Sequence, residues 1–227
     1  MRYPGGKGKT YQHVINVMPP HRVYIETHLG GGAVMRHKRP AARNIGIDAD
    51  LKVISAWSVE GIPGVEVMHS RAEDFLAQYE FRGDELMYLD PPYHPQTRRQ
   101  ARVYSWDYSA EDHKQLLALL VSLPCMAILS GYANSLYSDS LVGWHTRTFQ
   151  AKTHTDVREE TLWFNFEPPK ILHDSRYLGA DFRARQTTKR RLQRLQDKVK
   201  RMDPIERAVF SQWLDEAYPC EFRSEAR

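Results

Sequence analysis

The first three-quarters of this 227-residue sequence predict an α/β fold around a mostly parallel β-sheet. Three observations carry that prediction. Short, near-continuously apolar runs recur along the chain, as expected of strands buried on both faces. Helical spacing of apolar residues fills the gaps between them, supplying the crossovers that parallel pairing requires. After Pro168-Pro169 the pattern changes to helix alone, which predicts a C-terminal helical extension.

In chain order, Val23-Tyr24-Ile25 reads as the first strand and Ala33–Lys38 as the helix after it. Ile45-Gly46-Ile47, Val65-Glu66-Val67 and Leu86-Met87-Tyr88-Leu89 are the next strands, with helices over Leu51–Ser58 and Arg71–Gln78 between them. A helix over Ala110–Leu123 starts at Ser109, whose hydroxyl and the Asp112 carboxylate three residues on form an N-cap pair. Met126-Ala127-Ile128-Leu129 continues the strands and Leu162-Trp163-Phe164 closes them. In the extension, Leu192, Leu195, Val199 and Met202 recur at three- and four-residue spacing on a cationic helix. Asp203-Pro204-Ile205-Glu206 combines an N-cap, a first-turn proline and a capping acid. It starts a second helix, about Pro204 to Ala217, with Ile205, Val209 and Trp213 expected inward. The chain thus divides into a body, residues 1–170, and a basic helical hairpin, residues 171–227.

Composition narrows the function. Hydrophobic content of 41% beside 26% charged residues is globular. Cys125 and Cys220 are the only cysteines, which excludes a disulfide scaffold and a zinc ribbon and suits a reducing compartment. Apolar runs such as Leu116–Val121 are too short to span a bilayer, and the N-terminus lacks a signal-peptide core, so the expected setting is cytoplasmic. The ten histidines are scattered without ligand spacing, so no metal is expected. Gly-x-Ser-x-Gly is absent. The net charge of +4 is uneven. Residues 176–201 hold ten Lys/Arg against Asp181 and Asp197, a local +8, and the remainder sums to −4. A near-neutral body with a basic segment points to a polyanionic partner.

Two motifs carry chemistry. The first strand ends in Glu26-Thr27-His28-Leu29-Gly30-Gly31-Gly32, glycines that let a ligand approach the backbone closely. Eighteen residues past Gly30, the second strand ends in Asp48, placed to accept hydrogen bonds from ribose hydroxyls. The pair suits any adenosine-type cofactor. Met35 in the third glycine position of G-x-G-x-x-G, and Glu26 ahead of the glycines, disfavour a pyrophosphate and favour a cationic ligand. The fourth strand ends in Asp90-Pro91-Pro92-Tyr93. Two prolines make a rigid turn with outward carbonyls. The Asp90 carboxylate and the Pro91 carbonyl can each accept one N–H of an exocyclic amine, while Tyr93 offers a ring for a base to stack on. Ligands of such folds bind at the carboxyl ends of the strands, where both motifs lie.

Taken in order, these motifs resemble the Dam-like adenine-N6 DNA methyltransferases. Arg2-Tyr3-Pro4-Gly5-Gly6-Lys7 resembles that family's N-terminal cofactor motif, Glu26–Val34 its glycine motif, with Thr27-His28 where Pro-Phe is usual, and Asp90–Tyr93 its catalytic motif. Looser agreement continues through Tyr104, Ser130-Gly131-Tyr132 and Arg158–Trp163, so the likeness covers about residues 1–166. It implies a Rossmann-like sheet of the class I methyltransferase type and S-adenosylmethionine as cofactor. Tyr3, Gly5, Gly6, Lys7, Glu26, Gly30, Gly32, Asp48 and, more loosely, Asp74 would bind the cofactor. Asp90, Pro91, Pro92 and Tyr93 would be catalytic on an adenine flipped out of DNA, in a bacterial or phage-infected cell. One departure stands out. About 15 residues separate Asp74 from Asp90, so the family's target-recognition insert is missing. Readout then falls to Arg98, Arg99 and Arg102 beside Tyr104 and Trp106, or to the basic segment with Lys189, Arg190 and Arg191. That segment's apolar stripe suits equally a homodimer through the C-terminal helices. RNA or single strands as substrate, and a catalytically inactive nucleic-acid-binding protein, remain open alternatives.

Overall fold

The computed structural model describes residues 7–8, 10–97, 107–152 and 157–218. Seven strands form one sheet: β1 (Val23–Glu26), β2 (Arg43–Asp48), β3 (Val65–His69), β4 (Glu85–Leu89), β5 (Met126–Gly131), β6 (His145–Lys152) and β7 (Val157–Phe164). Eight α-helices accompany them among the described residues: α1 (Tyr11–Ile15), α2 (Ala33–His37), α3 (Leu51–Glu60), α4 (Ala72–Gln78), α5 (Ala110–Ser122), α6 (Ser135–Ser140), α7 (Phe182–Lys200) and α8 (Pro204–Ala217). The strand order is β3-β2-β1-β4-β5-β7-β6. β1 pairs in parallel with both β2 and β4, β2 with β3, and β4 with β5, whereas β7 runs antiparallel to β5 and β6. The sheet is Rossmann-like, and its order reverses between β1 and β4, which opens a crevice at their carboxyl ends.

Alternate side chains of each strand feed two cores, one on each face of the sheet. Ile25, Met87, Leu89, Ala127 and Leu129 pack with Phe75 and Leu76 of α4 and Leu116, Leu117 and Leu120 of α5. Tyr24, Leu86, Tyr88 and Ile128 pack on the opposite face with Val14 and Ile15 of α1, Val34 and Met35 of α2, and Val53 and Trp57 of α3. Burial on both faces explains why β1, β2, β4 and β5 are legible as apolar runs. The capping box at α5 is formed in both directions between Ser109 and Asp112.

Two parts depart from the sequence prediction. β6 was not foreseen, because His145-Thr146-Arg147-Thr148 is a polar edge strand, and β7 extends well before Leu162. The C-terminal hairpin does not close. Ile205, Val209 and Trp213, expected inward, are 76%, 62% and 50% exposed, and neither α7 nor α8 buries a residue. Helical periodicity identifies an apolar face but not what covers it. The boundary near residue 170 also shifts. His173 donates its N–H to the Met18 carbonyl, and Asp174 accepts from the Arg39 N–H, so residues 173–177 belong to the body. The extension proper starts at Phe182. No described helix is long and apolar enough to cross a membrane.

Because no residue of α7 or α8 is fully buried, a chain ending at residue 180 should melt within about 3 °C of the full protein by calorimetry. A larger drop would mean that the extension supports the body.

Candidate active site

The turn after β1 shapes one half of the crevice. Gly30 and Gly32 have φ of 45° and 61°, backbone that glycine adopts without cost. A Cβ on Gly32 would stand 2.1 Å from Cζ2 of Trp57, whose indole N–H donates to the Gly30 carbonyl at 2.9 Å. The Gly30 N–H donates to Asp48 Oδ2 at 2.8 Å, and the Asp50 N–H to Asp48 Oδ1 at 2.9 Å. Each oxygen of Asp48 is thereby oriented and keeps a lone pair for a ligand. Burial raises the Asp48 pKa, against the pull of the two backbone donors.

Glu26 is buried at the end of β1. Its Oε2 accepts from the Tyr24 hydroxyl and the Met35 N–H, both at 3.0 Å. Burial pushes the carboxyl up to about 8, opposed by the Tyr24 hydrogen bond and reinforced by the charge on Asp90. A carboxyl held near neutrality in this way ionises fully when a cation docks against it.

The other half forms after β4. Asp90 Oδ1 accepts from Lys7 Nζ at 2.7 Å and from Ser130 Oγ on β5 at 2.8 Å. Lys7 is 5% exposed, donates also to the Tyr93 hydroxyl at 3.1 Å, and lies 2.7 Å from Glu160 Oε1 on β7. Burial works to lower the Lys7 pKa, but the carboxylates of Asp90 and Glu160 more than offset it and hold the ammonium charged. Burial also raises Glu160, against the attraction of Lys7. The Tyr93 ring packs on Tyr132 with centroids 4.3 Å apart, and the Arg158 guanidinium lies 3.8 Å over the other ring.

Glu26, the glycine turn, Asp48, Lys7 and the Asp90–Tyr93 turn thus line one cleft of about 1040 Å³ including its mouth. Sequence reasoning missed its outer wall of Arg71, Ala72, Asp107, Tyr108 and Asp112, and it assigned no role to Glu160 or Ser130. His28 lines the cleft too. Its ring bridges the Thr27 hydroxyl at 2.9 Å and the Tyr108 hydroxyl at 3.0 Å, and burial lowers it to about 4, so it is neutral. Asp74 is exposed on α4 and borders a depression with His69, Ser70 and Gln78 that shares Ala49 and Arg71 with the cleft, whose own lining does not include Asp74. Ala72 faces the cleft, and a residue two positions further along a helix points elsewhere. Lys189, Arg190 and Arg191 sit on exposed α7, apart from the cleft lining. Tyr3, Gly5, Gly6, Arg98, Arg99 and Arg102 lie outside the described residues.

No protein-family model and no curated protein matches the chain in sequence. In structure it is similar to the magnesium protoporphyrin IX methyltransferase of Synechocystis PCC 6803, solved with SAM bound. That match has 17% identity over 69% of this chain and 78% of that one, with a TM-score of 0.46. It is also similar to an rRNA methylase from Streptococcus thermophilus, at 10% identity over 68% and 92% of the two chains and a TM-score of 0.44. A third is precorrin 8W decarboxylase of Methanobacterium thermoautotrophicum, at 11% identity over 71% and 92% and a TM-score of 0.46. At such identities the chemistry has to come from this chain's own residues.

Glu26 yields a pH signature. Its folded pKa of about 8 lies above the ordinary 4.5, so the folded state holds a proton that the unfolded state has lost between those values. Its contribution to stability is full below about 4.5 and declines as pH rises through 8. Relative to Glu26→Gln, the ligand-free protein should lose melting temperature between pH 5 and pH 8. Parallel pH curves for the two proteins would refute the assignment.

Proposed function

We propose that this chain is an S-adenosylmethionine-dependent adenine-N6 methyltransferase acting on DNA, with site-specific or relaxed sequence preference. One observation carries the reading. Both donors to Asp90, Lys7 and Ser130, fall on Oδ1, so Oδ2 is left to accept from an exocyclic amine. A carboxylate in that pose, followed by two prolines and a tyrosine, matches what an aryl amine requires. Such an amine is barely basic, so its lone pair has to be aimed rather than released by a strong base.

In this reading the cofactor fills the β1 half of the cleft. Asp48 takes its ribose hydroxyls, the glycine turn admits its backbone-facing edge, and Glu26 meets its ammonium group. Adenine flipped from the helix enters from the mouth at a cost of a few kcal/mol, offset by stacking on Tyr93 and by hydrogen bonds to Asp90 Oδ2 and the Pro91 carbonyl. S-adenosylmethionine, when bound, would supply an electrophilic methyl group to N6 and leave as a neutral thioether. Asp90 Oδ2, holding the amine, would accept the proton that N6 sheds and pass it to solvent. Asp90→Ala should lower turnover by several orders of magnitude while calorimetry finds S-adenosylmethionine binding within a few fold of wild type. An Asp90→Ala protein with full activity would rule out the mechanism.

A second reading, adenine in RNA or single strands, is favoured by the short connection from α4 to β4, residues 79–84, which has no room for a target-recognition module. Competition between matched duplex, single-stranded and RNA substrates separates the two. Calorimetry without detectable S-adenosylmethionine binding would point instead to an inactive nucleic-acid-binding protein. In either catalytic reading α7 is a phosphate-contacting arm, with Lys189, Arg190 and Arg191 in its exposed run; a homodimer through α7 and α8 is the competing use of the same helices. If α7 grips duplex DNA, replacing those three residues with alanine should flatten the slope of log K against log salt by up to about 3. An unchanged slope, with a change in sedimentation instead, would assign α7 to the dimer.

A further inference from the structure

We propose that Glu160 is the positioning residue of this site: acting through Lys7, it decides which oxygen of Asp90 meets the substrate amine and leaves the buried cluster net negative. The inference rests on the methyltransferase reading above.

Glu160 lies on β7, 2% exposed, and enters the site from the side opposite the β4 turn. Lys7 donates to Asp90 Oδ1 at 2.7 Å and to the Tyr93 hydroxyl at 3.1 Å, and its ammonium forms an ion pair with Glu160 Oε1 at 2.7 Å, outside hydrogen-bond geometry. The pull of Glu160 therefore opposes a slide of Lys7 along the Asp90 carboxylate. Without the pull of Glu160, Lys7 has only one carboxylate to satisfy and is free to straddle both of its oxygens. That would close Oδ2 to the amine.

Charge gives the second part. Lys7 with Asp90 alone is a neutral pair. Glu160, when ionised against the upward push of its burial, makes the cluster −1. Methyl transfer moves positive charge from sulfur onto N6, toward Asp90, and a fixed negative site stabilises that movement. The other titratable groups facing the cluster are Tyr24, Glu26, His28, Tyr88 and Tyr93. Of these, Glu26 belongs to the cofactor half and His28 is neutral, so the sign of the field at Asp90 is set by Lys7 and Glu160.

The test uses the full chain with S-adenosylmethionine and adenine-containing duplex DNA. Glu160→Gln should lower kcat on the order of 100-fold, the loss that small misplacement of a reacting group produces. Cofactor affinity by calorimetry and the melting temperature should hardly move. Glu160→Asp, which keeps the charge, should recover part of kcat. Should Glu160→Gln fail to fold, Lys7→Met and Lys7→Met/Glu160→Gln carry the test. A residue acting only through Lys7 adds little further loss in the double variant. Full kcat in Glu160→Gln, no recovery in Glu160→Asp, or additive losses in the pair, would overturn the inference. Wild-type protein that transfers no methyl group would overturn the methyltransferase reading, and the inference with it.

Discussion

A lysine buried between two carboxylates joins parts of this chain that are far apart in sequence. Lys7 precedes the first strand, Asp90 follows β4 and Glu160 lies in β7, yet the ammonium is 2.7 Å from both acids. Such a cluster is poor evidence of stability, because removing each ion from water costs several kcal/mol that the pairing only partly returns. An apolar trio of the same volume would hold the sheet at least as well. The cluster makes sense as chemistry. It fixes one carboxylate oxygen, keeps a cation charged in a dry place and leaves a negative excess beside the Asp90–Tyr93 turn.

The sheet makes that meeting possible. β1 is flanked by β2 on one side and β4 on the other, so the chain diverges at the carboxyl end of β1. The glycine turn and the Asp90–Tyr93 turn leave the sheet side by side and enclose the cleft between them. β5 next to β4 delivers Ser130 to Asp90. The antiparallel β7 beyond it brings Glu160 back toward the same end of the sheet. Each contact depends on a neighbouring strand in register, and a shift of one residue would turn Glu160 to the opposite face.

This also explains what was legible in the sequence. Buried parallel strands announce themselves through unbroken apolar runs, and turns through glycine and proline, so β1, β2, β4, β5 and the two motifs at their ends could be read directly. Asp48 followed from its place at the end of β2. Glu160, Ser130 and Tyr108 could not be read, because their contacts arise from pairing across 40 residues or more, and a lone acid in a strand has no local signature. Asp74 shows the converse: two residues beyond Ala72, the turn of the helix carries it out of the cleft lining to the depression beside it. Ile205, Val209 and Trp213 form a genuine apolar face, but a face predicts a partner only when the chain supplies one nearby.

The uneven charge acquires a physical meaning from this geometry. Under the proposed function, acids that would attract a sulfonium or an incipient ammonium would repel a polyanion if they stood at the surface. Glu26 and Glu160 are buried, where low dielectric makes them strong over a few ångströms and the intervening protein separates them from bulk solvent. Most lysines and arginines of α7, Lys189, Arg190 and Arg191 among them, are arranged the opposite way, exposed on a helix with no fully buried residue. Exposed charge acts on a partner as far as screening permits, about 10 Å at 0.1 M salt, and so suits first capture of phosphates better than any step at the reacting atoms. Under the proposed function, a negative cleft and a positive arm are therefore compatible in one small protein because they would work at different ranges.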